Sequence, residues 1–182
     1  CNQPVCVTIH DNVDIYVGSN DWCIYVFDQT GKLKNTIHVN GIPRTVSIKG
    51  DVLHVANSIK NRVQKHTTGG QFLQLFPEAG QGQFYGLHEV IIDSNNNRIV
   101  SDEGNNRIQI FNNNGGWLLV IHEDNMCPLG LALDPQGNIH AAVFQNVINV
   151  YTKEGDFLRE YGNPNFPIGI AIDDEGYSFV TE

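Results

Sequence analysis

At 182 residues and 41% apolar composition, the chain is long enough to bury a core of its own. With 20 Asp and Glu against 11 Lys and Arg, its formal charge of −9 argues against a protein devoted to gripping phosphate backbones. No apolar run approaches the roughly 18 residues of a membrane span. The cysteines are Cys1, Cys6, Cys23 and Cys127. They are too sparse for a disulfide scaffold, and their spacing gives no close pair for zinc. Free thiols and the lack of an N-x-S/T sequon lead to an expectation of a reducing, cytoplasmic setting. The chain opens on Cys1, without an initiator Met or a basic-then-apolar leader, and so reads as a processed or excised piece.

In chain order, PVCVTIHDNVDIYVG (4–18) reads as two short strands joined by a polar turn. IYVFDQTGKLKNTI (24–37) reads as two more. PRTVSIKGDVLHVAN (43–57) and VQKHTTGGQFLQLF (63–76) repeat the scheme loosely. LHEVIIDSNNNRIVSD (87–102) and IQIFNNNGGWLLVI (108–121) form the next set. PLGLALDPQGNIHAA (128–142) and INVYTKEGDFLREY (148–161) follow, and PIGIAIDDEGYSFVT (167–181) begins another. One anchor position recurs as Phe27, His66, Phe111 and Tyr151, in steps of about 39, 45 and 40 residues, close to the 40–45 of a four-stranded propeller blade. The units are 1–40, 41–83, 84–125 and 126–165, with a partial 166–182. No segment carries a helical period. The expected class is all-β, a β-propeller of four-stranded blades.

P-x-G-Φ-A-Φ-D at 128–134 and 167–173, SDEGNNRIQIF at 101–111 and the Gly-x-Φ-L turns resemble the NHL-repeat family of β-propellers, as in tripartite-motif NHL proteins. The resemblance covers essentially the whole chain. Cys23 and Val147 depart from it where the pattern has Arg62 and Arg107. The resemblance implies a six-bladed ring, of which about four and a half blades are present. The expectation is therefore a fragment of a longer protein, or an open edge that pairs with a second copy. It also implies that the Asn of the b–c loop caps the turn and that the Arg packs on or bonds the neighbouring blade. NHL propellers often end a ubiquitin-ligase-type tripartite chain and select its targets. No RING, B-box or coiled-coil segment lies in this sequence.

The face formed by strand-a starts and b–c loops was searched first, because loops on rigid scaffolds carry function. It offers Trp22, Arg44, Lys60, Arg62, His88, Glu89, Glu103, Asn105 and Arg107 as partner-binding candidates. Arg44, Lys60 and Arg62 make a basic sector, and Glu89, Asp102 and Glu103 an acidic one, which would orient a partner of matching polarity. Trp22 suits an aromatic anchor. Trp117 is expected to pack within its blade. His88 and Glu89 read as a solvated polar pair, and as an acid–base or metal pair only if other ligands join them. Asp93 to Asn97 lacks the Gly and terminal Glu of a calcium loop and reads as a polar turn. No G-x-S-x-G, P-loop or Rossmann fingerprint occurs.

The leading expectation is a non-enzymatic scaffold for a protein partner, without cofactor or metal, not membrane-bound, and self-associating through open blade edges. Single-stranded RNA is the alternative partner, gripped by Arg44, Lys60 and Arg62 with Trp22 or Tyr85 for stacking. A metal-dependent lyase- or lactonase-like propeller enzyme ranks below it.

Overall fold

A computed structural model describes residues 3–76 and 83–182; Cys1 lies outside the described residues. The strands fall into four antiparallel four-stranded blades and one two-stranded sheet. The first blade holds β1 (Pro4–Ile9), β2 (Ile15–Ser19), β3 (Cys23–Phe27) and β4 (Leu33–His38). The second holds β5 (Pro43–Lys49), β6 (Val52–Asn57), β7 (Arg62–Thr67) and β8 (Phe72–Phe76). The third holds β9 (Leu87–Ile92), β10 (Arg98–Asp102), β11 (Arg107–Phe111) and β12 (Trp117–His122). The fourth holds β13 (Pro128–Leu133), β14 (Ile139–Val143), β15 (Val147–Tyr151) and β16 (Phe157–Tyr161), followed by β17 (Gly169–Ile172) and β18 (Ser178–Thr181). In each blade the order along the sheet follows the order along the chain, as expected of propeller blades. Among the described residues a single 3-10 turn, Glu103–Asn105, interrupts this pattern. The chain divides into two compact units, Cys1–Gln83 and Phe84–Glu182.

The hairpins form because their turns repeat one piece of local chemistry. An Asp or Asn closing a strand accepts amide hydrogens two and four residues on, and a glycine follows at positive φ. Asp28 Oδ1 accepts from the Thr30 and Lys32 amides at 2.8 and 3.0 Å, with Gly31 at φ 82°. Asp134 Oδ1 does the same for Gln136 and Asn138 at 3.0 and 2.8 Å, ahead of Gly137. Asp93 uses its Oδ1 on the Asn95 and Asn97 amides at 2.8 and 2.7 Å, which accounts for the oxygen-rich Asp93 to Asn97 stretch as a turn.

Each unit has its own apolar core. The first packs Tyr16, Ile24, Val26 and Ile37 of the first blade on Val46, Leu53 and Val55 of the second. The second packs Ile108, Ile110 and Ile121 on Leu131, Ile139 and Tyr151. The anchor positions Phe27, His66, Phe111 and Tyr151 all sit where the pairing between third and fourth strands slips. A bulge there re-aims the side chain. In every blade the start of the first strand pairs with the end of the second, as in Pro43 with Asn57 and Pro128 with Val143. Strand-a starts and b–c hairpins thus share one end of each blade, the top.

Candidate functional site

The top of the third blade is organised around Asp102, which is fully buried. Its carboxylate accepts from Arg107 Nε at 2.7 Å, Gln109 Nε2 at 2.9 Å, Asn105 Nδ2 at 2.9 and 3.0 Å, and the Tyr85 amide at 2.7 Å. A buried carboxylate is tolerated when a charge and several donors surround it. Asn105 and Arg107 are therefore engaged inside their own blade. Asn106, at φ 52°, takes the left-handed turn position, and its Oδ1 accepts from the Cys127 amide at 3.2 Å.

The same position diverges from blade to blade. Asp102 pairs across the hairpin with Arg107, Asn57 with Arg62, Ser19 with Cys23, and Val143 with Val147. The second blade keeps the arginine and has lost the carboxylate. Asn57 spends its side chain on the Lys60 amide at 3.1 Å and the Asn40 carbonyl at 2.7 Å. Arg62 donates from its Nη1 to the Asn61 carbonyl at 3.0 Å, and among the described residues it forms no ion pair.

Lys60 and Arg62 line a groove of about 600 Å³ within the first unit, together with His38, Asn40, Gln64, His66, Phe72 and Leu75. Arg44 is exposed on β5 and does not line it. Burial lowers the pKa of the His66 imidazole, with partial compensation from the Gly70 backbone. Its Nε2 lies 3.0 Å from Gln64 Oε1, and Phe72 meets the ring edge-on at 5.5 Å. In the fourth blade Tyr151 occupies the anchor position. It is bonded to Glu123 at 2.9 Å, backed by the buried Met126, and met edge-on by Phe157.

The charge segregation expected of the top face is not formed as drawn. Asp102 contributes no surface, and Glu103 sits partly exposed in the 3-10 turn. His88 and Glu89 are neighbours on β9 at a bulge, where both stand opposite Ser101 of β10. His88 is 6% exposed, which leaves a partner little to contact. His88 is thus buried rather than solvated, and Glu89 is half-buried. Glu89 Oε2 accepts from the Leu131 amide at 2.7 Å. Burial pushes its pKa up to about 7 against that hydrogen bond.

The consequence for stability has a definite sign. Below the ordinary glutamate pKa, folded and unfolded chains both hold the proton. Between there and about 7 the folded chain holds a proton that the unfolded chain has released, so stability falls as pH rises. Glu89→Gln keeps an acceptor for Leu131 and removes the titration. The variant should be more stable than the native chain by roughly 3 kcal/mol at about pH 8 and equal to it at about pH 4. Urea unfolding at the two pH values checks this, and parallel curves for the two proteins would refute it.

Two aromatic residues stand out at the top. Trp22 is 50% exposed and sits at φ 66°, held by its own amide to the Ser19 carbonyl at 3.2 Å and by the Val39 amide on its carbonyl at 2.9 Å. Tyr85, 67% exposed, has its amide on Asp102 and its carbonyl on the Gly104 amide at 2.8 Å. Gly104 lies so close to the Tyr85 ring and carbonyl that a side chain there would collide with them. Trp117, expected to pack, is half exposed on β12.

Among the described residues no helix is long and apolar enough to cross a membrane. No family model matches the sequence. The chain is 25% identical over 167 residues to the human E3 ubiquitin-protein ligase TRIM32, which has an NHL domain, and equally so to the mouse protein. The NHL-type resemblance is supported. These alignments take in 81% of this chain and 25% of the relatives, so the chain spans about a quarter of their length. A streptogramin B lyase structure superposes at TM-score 0.81 and 18% identity, covering 100% of this chain and 62% of that one. Virginiamycin B lyase from Staphylococcus aureus gives 0.79 and 16%, covering 100% and 64%. The WD40 β-propeller domain of Doa1 gives 0.78 and 14%, covering 96% and 58%. At such identities the likeness shows the propeller fold and nothing finer. The fold and the TRIM32 likeness together support, at a coarse level, a protein-binding scaffold.

Proposed function

We propose that this NHL-type propeller chain is a non-enzymatic scaffold that recognises a protein through the tops of its blades. The observation that carries the reading is Trp22. The equivalent left-handed positions of the other b–c hairpins are Asn61, Asn106 and Asn146. Asparagine adopts this conformation readily, whereas a bulky residue there is strained. An indole held in it, half exposed and fixed by two backbone hydrogen bonds, is preorganised for contact rather than for packing. Tyr85 is an aromatic of the same kind on the third blade. The free thiols of Cys23 and Cys127 suit a cytoplasmic scaffold.

The test is affinity capture with the native chain and with Trp22→Ala and Tyr85→Ala. Proteins held by the native chain should be reduced about tenfold or more by Trp22→Ala, in line with an interface hot spot. A captured set that neither variant changes would overturn the top-face reading. Single-stranded RNA is the second reading, favoured by Arg62 having no carboxylate partner among the described residues and opposed by the charge of −9. Anisotropy with a random single-stranded RNA pool across a salt series decides it. Self-association through the half-exposed β17–β18 sheet, where Tyr177 and Phe179 face solvent, belongs to the same proposal and is read by light scattering.

A further inference from the structure

Two departures from the repeat pattern coincide in the second blade, and together they make the groove. Replacing the aromatic anchor with His66 leaves unfilled the space that Tyr151, backed by Met126, occupies in the fourth blade. Replacing the acidic hub with Asn57 leaves Arg62 without the carboxylate that holds Arg107. The groove that results is basic and apolar at once. Lys60, Arg62 and His38 stand toward the top, and Phe72 and Leu75, 53% and 47% exposed, line the outer strand. Among its described lining residues there is no carboxylate, in a chain whose overall charge is −9.

We infer that this groove, deepening the protein-recognition reading on which it rests, holds an acidic peptide segment of the partner: a carboxylate on Lys60 and Arg62, and a neighbouring apolar side chain against Phe72 and Leu75. Charge complementarity selects the acid, since an acidic chain repels such a segment over most of its surface and attracts it here. The guanidinium of Arg62 supplies the planar fork that carboxylates take in bidentate fashion. The volume falls within the range of ligand sites, but the groove is half open. A small molecule would need most of its surface enclosed, whereas a peptide is content to bury one side.

The decisive experiment pans a random phage-displayed peptide library on the native chain. It then measures one enriched peptide, labelled with fluorescein, by anisotropy on the native chain and on variants. Enriched peptides should carry Asp or Glu beside Leu, Ile or Phe. The Lys60→Glu/Arg62→Glu chain should bind about tenfold more weakly or worse, with strong salt sensitivity in the native complex. His66→Tyr restores the aromatic seen in the fourth blade, fills the groove without removing a charge, and should also abolish binding while circular dichroism and melting stay native. Enrichment of neutral or basic peptides, indifference to His66→Tyr, or no enrichment at all would each overturn the inference. Peptides lost on Trp22→Ala or Tyr85→Ala but not on the groove variants would sink the groove and leave the top-face reading standing. RNA-pool binding that disappears in Lys60→Glu/Arg62→Glu, with no peptide enriched, would overturn it in favour of RNA.

Discussion

Asp102→Ala should lower the stability of the second unit by about 3–5 kcal/mol, the cost of removing one partner from a buried, hydrogen-bonded ion pair. The carboxylate serves Arg107, Gln109, Asn105 and the Tyr85 amide together. Its loss takes an acceptor from each of these donors in a fully buried site. For a chain of this length the melting temperature should fall by roughly 10 °C. Asp102→Asn should cost less, because it keeps an acceptor for the Tyr85 amide and forfeits the charge. Thermal unfolding followed by circular dichroism checks both, and native-like melting of Asp102→Ala would refute the hub. The reverse change, Asn57→Asp, should place across the hairpin from Arg62 the carboxylate that Arg107 has in Asp102, and weaken peptide binding in the groove.

Gly130→Ala should be nearly as damaging. A methyl group at Gly130 would lie 2.8 Å from Gly169 Cα, 2.8 Å from the Ile168 carbonyl oxygen and 2.9 Å from the Ile170 nitrogen. All three are backbone atoms of or beside β17, so no rotamer change relieves the contact. The strand must shift, at a cost of about 1–3 kcal/mol or more. Gly137→Ala is the control. That glycine sits at φ 85° with open space around it, so alanine there incurs only the conformational penalty of about 1 kcal/mol. A smaller loss at position 130 than at position 137, by chemical denaturation, would refute the crowding argument.

The blades were legible in the sequence because their causes are local. Alternation in IQIF, the Asx residue closing a strand and the glycine after it are each set within a few residues. Burial of charge was not legible. Asp102 and Glu103 look alike in sequence, yet one is a buried hub and the other is partly exposed, a difference made by what folds over them. Nothing in the sequence around Arg98 marks it as buried. It is 1% exposed, with its guanidinium on the Asn112 carbonyl at 2.7 Å. Trp117, on the last strand of its blade, is half exposed and so packs in part. The groove had a signal in advance, His66 breaking the Phe, Phe, Tyr series. Only the geometry shows that this break and the Asp-to-Asn exchange at Asn57 meet around one space.

Among the described residues every backbone ladder lies within its own blade, and the b–c turns of the first, third and fourth blades each close on a backbone bond three residues long, from Trp22 to Ser19, Asn106 to Glu103 and Asn146 to Val143. An exchange at one hairpin tip therefore need not be answered at the next. The hub position has passed through Ser19, Asn57, Asp102 and Val143 without loss of the surrounding register. Such an arrangement uncouples innovation from foldability: each copy of the repeat is a separate site for trial and error, and the recognition surface can be rewritten one blade at a time.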